Sequence, residues 1–443
     1  MTKRTLFIGF MLFALFFGAG NLIFPPTVGQ LSGSNFMPAI LGFIVTGVGL
    51  PLVGIIAGSF SNEGFRSEAK RISPIFAVIF MVVIYLTIGP FFAIPRTAMV
   101  SYEMAVLPFL NGGIETFASK VIFSVVYFGL TFYLALNPTK LVDRVGQILT
   151  PLLLITIVLL IIKAFFDLNN PITEIAPQFQ STPFLVGFSE GYQTMDTIAA
   201  VAFSIIVLNA VKATGLTEQS SIFKQASIAA IIAAVGLGLV YISLAWIGNN
   251  YPLSSTEAAG GNMGTSILTG VARLTYGESG RLLLSLIVTL ACLTTAIGLI
   301  VAVSSYFNEL YNKISYKVYA IIFTLISFIL ASQGLSSIIM GAVPILLIIY
   351  PITIVLIVLI FIDRALKGMP NLAFQLPIYV TVIISALSVL LGYLGDSTFK
   401  LQALEWLSML PYQSSDMGWM VPAIVALVVG FILGKVFKTK QNA

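Results

Sequence analysis

Phe17-Gly18-Ala19-Gly20-Asn21-Leu22-Ile23-Phe24-Pro25-Pro26 lies inside an apolar stretch running from about residue 6 to 30. Two glycines and a proline pair interrupt a segment that is otherwise oily enough to cross a membrane as one helix. Glycine weakens a helix, and proline removes an amide donor while clashing with the preceding turn. The chain is therefore expected to unwind near Gly18 to Asn21. Unwound backbone at membrane depth persists only where protein or a polar cavity satisfies it, so this stretch predicts a buried polar site. The competing reading is an ordinary kink or a glycine packing face.

A second interruption falls in the sixth apolar stretch, at Gly187-Phe188-Ser189-Glu190-Gly191-Tyr192-Gln193-Thr194-Met195-Asp196-Thr197. Ionisable side chains at such depth are costly and usually face a functional cavity. Glu190 could equally lie at the outer headgroup level. Asp196 is deeper by roughly 9 Å, from six residues at about 1.5 Å each. The two breaks sit in the first and sixth spans, corresponding places in two sets of five. Such paired interruptions point to the binding site of a secondary transporter.

The rest of the chain fits an all-α integral membrane protein. It is 58% hydrophobic and 9% charged, with a mean hydropathy of +1.03, whereas a soluble domain carries roughly a quarter charged residues. Apolar stretches near 6–30, 36–58, 74–100, 117–136, 145–166, 184–209, 226–248, 280–306, 317–333, 337–361, 375–394 and 417–437 predict about twelve transmembrane helices. They leave no room for a soluble domain, so residues 1–443 are read as one transporter domain. Its first repeat is 6–166, its second, inverted, repeat is 184–361, and two further helices occupy 375–437. Lys3-Arg4 before Leu6 to Phe17 also has the pattern of a secretory signal, but cleavage would leave an odd number of spans and remove the first break.

The net charge of +5 follows from orientation. With the amino terminus inside, all of the 22 Lys and Arg except Arg96, Lys120, Lys163, Arg273, Arg281 and Lys400 fall on the cytoplasmic side, as the positive-inside rule requires. A multi-pass protein of the cell membrane with both termini cytoplasmic is expected, and no nucleic-acid partner. The chain has no histidine and one cysteine, Cys292. That removes the commonest general base and any intrachain disulfide and weighs against an enzyme. No Gly-rich Gly-Lys-Ser/Thr phosphate loop occurs, so an ion gradient is the expected energy source and no cofactor is expected.

A broken helix presents free amides at one half-helix start and free carbonyls at the other half-helix end. The amides suit an amino acid's carboxylate. The carbonyls, with Asn21 and Thr194 as neutral oxygen donors, suit an ammonium group or a hard cation. Arg96, beside Pro95, is expected to snorkel outward, with pairing to Glu103 or Glu190 as a gate the alternative. Tyr192, Phe91 and Phe92 are candidate pocket walls, and Tyr251 to Gly280, with Gly260-Gly261, a candidate external lid or a disordered loop.

FFGAGNLIFPP in the first span, TIGPFFAIPRTA (87–98) in the third and GYQTMDTIAA (191–200) in the sixth together resemble the bacterial branched-chain amino acid:cation symporters over essentially the whole chain. The resemblance implies the leucine-transporter fold and import of leucine, isoleucine and valine with sodium or, in some members, protons. It implies a substrate site at Gly18, Ala19, Gly20, Asn21, Gly191, Tyr192, Thr194 and Asp196, with the Ala19 and Gly20 amides meeting the carboxylate. It also implies one sodium at Asn21 and Thr194, and another at the carbonyls of Ala14, Phe17 and Ala291 and the hydroxyls of Thr294 and Thr295. Asp196 departs from the small hydroxyl residue common in the wider superfamily, so its role is open between ammonium contact, ion ligand and proton acceptor. Without the resemblance, two adjacent threonines more often bond their own preceding turn. Alternatives are a proton-coupled permease using Asp196 or Glu190 and, of another class, an ion channel.

Overall fold

The structure, a computed structural model, describes residues 3–61, 63–110, 116–137, 142–168, 174–254, 262–394 and 398–441. Regular structure among them is entirely helical. The first expected span is two half-helices, α1 (Lys3–Phe16) and α2 (Ala19–Ser32). α3 (Phe36–Ile44) and α4 (Leu50–Gly58) make the second, joined by a widened π-type turn at Val45–Gly49. After α5 (Phe65–Lys70), α6 (Pro74–Leu86) and α7 (Ala93–Ala105) form the third. They meet at Thr87–Phe91, where Gly89 leaves helical geometry beside Pro90.

α8 (Phe117–Ala135) and α9 (Thr150–Asp167) follow. The sixth span is again split, into α10 (Pro183–Glu190) and α11 (Asp196–Lys212). α12 (Gln219–Asn250), α13 (Met263–Tyr276), α14 (Glu278–Leu310), α15 (Tyr316–Ala331), α16 (Leu335–Ala365), α17 (Asn371–Leu390), α18 (Thr398–Ser408) and α19 (Met420–Gln441) complete the chain. Among the described residues, eight helical runs are long and apolar enough to cross a membrane, or nine if Pro183–Thr194 and Asp196–Lys212, bent by 46°, count as one. α1 has only 14 residues, and α2 runs into the second expected span as one stretch, Ala19–Gly58, so by length the first two expected spans register as one.

By packing, the chain divides into two compact units, Met1–Ile56 with Tyr85–Ala342, and Ala57–Ile84 with Val343–Ala443. In the first, α2 is held by backbone contact on two sides. A methyl at Gly29 would lie 1.8 Å from the Ala245 carbonyl oxygen of α12, and one at Gly248 would lie 2.0 Å from that of Pro26. On the other side, a methyl at Gly264 of α13 would lie 2.0 Å from the Ile23 carbonyl oxygen. Only glycine permits such approach, which maximises dispersion between helices where no hydrophobic effect drives them together. Asn249 fastens the same contact, its side-chain amide donating to the Gly29 and Gly33 carbonyls at 2.9 Å each.

Part of the expected lid is therefore a helix, α13, packed on α2; residues 255–261, with Gly260 and Gly261, lie outside the described residues. The outer faces are apolar, α8 for example exposing Ile122, Val125, Val126 and Leu130, as lipid-facing helices do. In the second unit, Arg71 after α5 grips Asp363 of α16 with both guanidinium nitrogens, at 2.8 and 3.0 Å. The same guanidinium lies 4.3 Å from the centre of the Phe374 ring, tying three elements together by a bidentate ion pair and a cation–π contact.

Candidate functional site

The first break is tighter than the sequence suggests. Helix geometry fails at Phe17 and Gly18 only, Gly18 being extended (φ −122°, ψ −153°), and Ala19, Gly20 and Asn21 already form the first turn of α2. Asn21 explains the rapid restart. Its side-chain oxygen accepts from the Gly18 amide at 3.2 Å, capping a donor that the lost helix bond leaves open. The amides that follow begin a helix and carry its positive end.

The second break is equally short. A 3-10 turn at Gly191–Thr194 ends at Met195, whose left-handed backbone (φ 66°) is unusual for a side chain of that size. Asp196 then opens α11. The Thr194 hydroxyl donates to the Gly191 carbonyl at 2.9 Å and accepts from the Asp196 amide at 3.3 Å. Gly191 has no room for a side chain, since a methyl there would lie 1.8 Å from the Thr46 hydroxyl.

The two breaks meet. The Asn21 amide group donates to one Asp196 carboxylate oxygen at 2.6 Å, and the Tyr241 hydroxyl of α12 donates to the same oxygen at 2.7 Å. Asn21 also donates to the Tyr241 oxygen. Asn21 and Asp196 are each 2% exposed and Tyr241 is fully buried. The carboxylate thus accepts two hydrogen bonds, which offsets part of its desolvation.

Arg96 is the main correction to the sequence reading. It is buried and does not snorkel outward; its guanidinium donates to the carbonyls of Gln193 and Thr194 at 2.7 and 3.3 Å. It sits so close to Gly20 that a methyl there would lie 2.7 Å from a guanidinium nitrogen. The arginine therefore satisfies the free carbonyls of the second break while placing positive charge beside the first.

At the end of α1, both threonines of α14 turn toward the broken helix. The hydroxyls of Thr294 and Thr295 lie 3.0 and 3.1 Å from the Ala14 carbonyl oxygen, and that of Thr294 lies 3.0 Å from the Ala291 oxygen. Gly18 abuts Thr295, a methyl there falling 2.7 Å from its hydroxyl. Phe17 is fully buried, its ring stacked on Phe13. Each hydroxyl has one proton and two lone pairs, so rotation converts this set from donors into ligands for a hard cation.

Gly18, Ala19, Gly20, Asn21, Thr194, Asp196 and Thr295 line one cavity of about 20 Å³ together with Arg96, Phe16, Ile88, Phe203 and Leu299. That is room for about one water, so a larger ligand enters only when the lining moves. Tyr192 is buried against Phe188 but is outside this lining, as is Gly191. Phe91 is 42% exposed. The apolar walls come instead from Phe16, Ile88, Phe203 and Leu299. Sequence reasoning missed Tyr241, whose only signal is a phenol in mid-span.

A family model described as branched-chain amino acid transport protein matches residues 1–437. The chain belongs to that family. A provisionally named branched-chain amino acid carrier protein of Staphylococcus saprophyticus is 48% identical over 449 residues, covering all of this chain and 98% of the relative. Such proteins are transport carriers, so the chain is a multi-pass membrane transporter and not an enzyme. Among solved structures, Mhp1, a nucleobase-cation-symport-1 family transporter with bromovinylhydantoin bound, is similar with a TM-score of 0.64 at 13% identity, covering 99% of this chain and 93% of that one. MhsT in complex with L-phenylalanine has a TM-score of 0.58 at 16% identity, covering 96% and 98%. Both establish the leucine-transporter fold for this branched-chain carrier family member.

Replacing Arg96 by lysine keeps the charge but removes the fork that spans two carbonyls. Loss of one charge-assisted bond is worth about 1.5–3 kcal/mol, so Arg96→Lys is expected to lower the midpoint of thermal denaturation in detergent. A midpoint equal to wild type would show that the fork does not hold the second break.

Proposed function

We propose that the protein imports leucine, isoleucine and valine across the cell membrane by sodium symport with alternating access. The observation that carries this reading is the oxygen cluster at the end of α1: the Ala14 carbonyl between two threonine hydroxyls, with the Ala291 carbonyl beside them. Neutral oxygens of this kind suit a hard monovalent cation better than a transition metal. Asn21 and Thr194, lining the adjacent cavity, are the proposed ligands of a second sodium. Phe17 completes the first set through its carbonyl.

The substrate carboxylate is assigned to the Ala19 and Gly20 amides, where the helix dipole and Arg96 both favour negative charge. Asp196 is assigned to the ammonium group. The walls from Phe16, Ile88, Phe203 and Leu299 take a branched side chain, and one methylene discriminates by only about 1–3 kcal/mol, so selectivity within the group is broad. Cation binding orders the break at Gly18 and so favours substrate binding, a coupling that must be reciprocal.

Proton coupling is the second reading, and Asp196 favours it as a buried carboxylate in the cavity. Leucine uptake into proteoliposomes separates the two when an inward sodium gradient is compared with an inward proton gradient at fixed membrane potential. Sodium-driven accumulation that valine competes is expected. Proton-driven accumulation would transfer coupling to Asp196, and none under either gradient would remove leucine as substrate. Asp196→Asn is expected to abolish accumulation, and Tyr241→Phe, which removes one donor to the carboxylate, to weaken apparent leucine affinity by about tenfold or more.

Both termini are assigned to the cytoplasm. Cys292 is fully buried, so cysteines introduced at Lys313 and Arg281 report sidedness in intact cells. An impermeant maleimide is expected to label Arg281→Cys and spare Lys313→Cys; the reverse would invert the topology.

A further inference from the structure

A second cavity, of about 320 Å³, lies in the other packing unit, between Val343 to Leu347 of α16, the end of α17 and the segment leading into α19. Its volume is within the range of small-molecule sites. Val343, Leu347, Ile384 and Val389 give it apolar walls. Two of its lining side chains are polar, buried and without a hydrogen-bond partner among the described residues: the Ser385 hydroxyl, in a residue 3% exposed, and the Trp419 indole N–H, in a residue 6% exposed. Buried polar groups are rarely left so in native proteins, and an unmet one costs about 1–3 kcal/mol.

Asp416, an exposed residue with left-handed backbone (φ 59°), also lines the cavity. Non-glycine residues in that conformation cluster at ligand clamps. Gln413, whose side-chain amide donates to Ser388 at 3.4 Å, braces the same segment. The polar groups of the lining differ in what they ask of a ligand. The indole can only donate and so asks for an acceptor, whereas the carboxylate can only accept and so asks for a cationic donor.

We propose that this cavity binds a zwitterionic amphiphile, a primary ammonium beside an anionic oxygen group on an apolar body. An ethanolamine phospholipid and a free apolar amino acid both carry that chemistry. The site is separate from the transport cavity and shares no residue with it.

Native mass spectrometry of the delipidated full-length carrier tests this with three probes: dihexanoyl phosphatidylethanolamine, dihexanoyl phosphatidylglycerol and L-leucine. Phosphatidylethanolamine is expected to bind at least tenfold more tightly than phosphatidylglycerol, with that binding reduced at least tenfold by Asp416→Asn. Ser385→Leu, which fills the cavity, is expected to do the same. A second equivalent of leucine per chain, lost in the Asp416→Asn protein, would identify the free amino acid as occupant and equally support the site. Equal binding of the two lipids without a second leucine, or wild-type binding of every probe by Asp416→Asn, would overturn the proposal.

Discussion

A helix interrupted in a low-dielectric interior exposes amides and carbonyls that no water can satisfy, and each must find a partner in the protein. Four side chains meet this need. Asn21 caps the Gly18 amide, the threonine pair of α14 meets the Ala14 carbonyl, and Arg96 takes the carbonyls of Gln193 and Thr194. Each break is thus closed by a residue whose position depends on another element folding correctly. The same groups have the chemistry of a ligand site, because a donor that satisfies a loose carbonyl can yield it to a cation.

The close backbone contacts of α2 with α12 and α13 give this arrangement a fixed frame. Where a methyl at Gly29 or Gly248 would penetrate a carbonyl, the helices cannot rotate past one another without separating. The Asn21, Asp196 and Tyr241 cluster then joins three elements at one carboxylate oxygen. Removing any member leaves a buried polar group with one partner fewer, which is why the cluster couples the two breaks energetically as well as geometrically.

Much of this was legible in the residues. Gly18 to Pro26 and Gly187 to Thr197 marked the breaks because glycine, proline and polar side chains are costly in a membrane helix. The extent of unwinding was overestimated: Ala19 to Asn21 are helical because the asparagine caps its own helix, a local effect that composition does not reveal. Arg96 was misplaced because an isolated charge near a span end usually reaches water, whereas here two free carbonyls across the fold hold it inward. Tyr241 stayed hidden because a tyrosine in an apolar span reads as packing until its carboxylate partner, 45 residues away, is known.

The most direct test of the account is equilibrium binding of radiolabelled leucine to the purified carrier as a function of sodium concentration. Leucine affinity is predicted to rise with sodium in the wild-type protein, and that dependence to be lost when Thr294 and Thr295 are both replaced by alanine. Leucine affinity independent of sodium in the wild type would contradict the claim that the broken first helix couples a cation to the substrate.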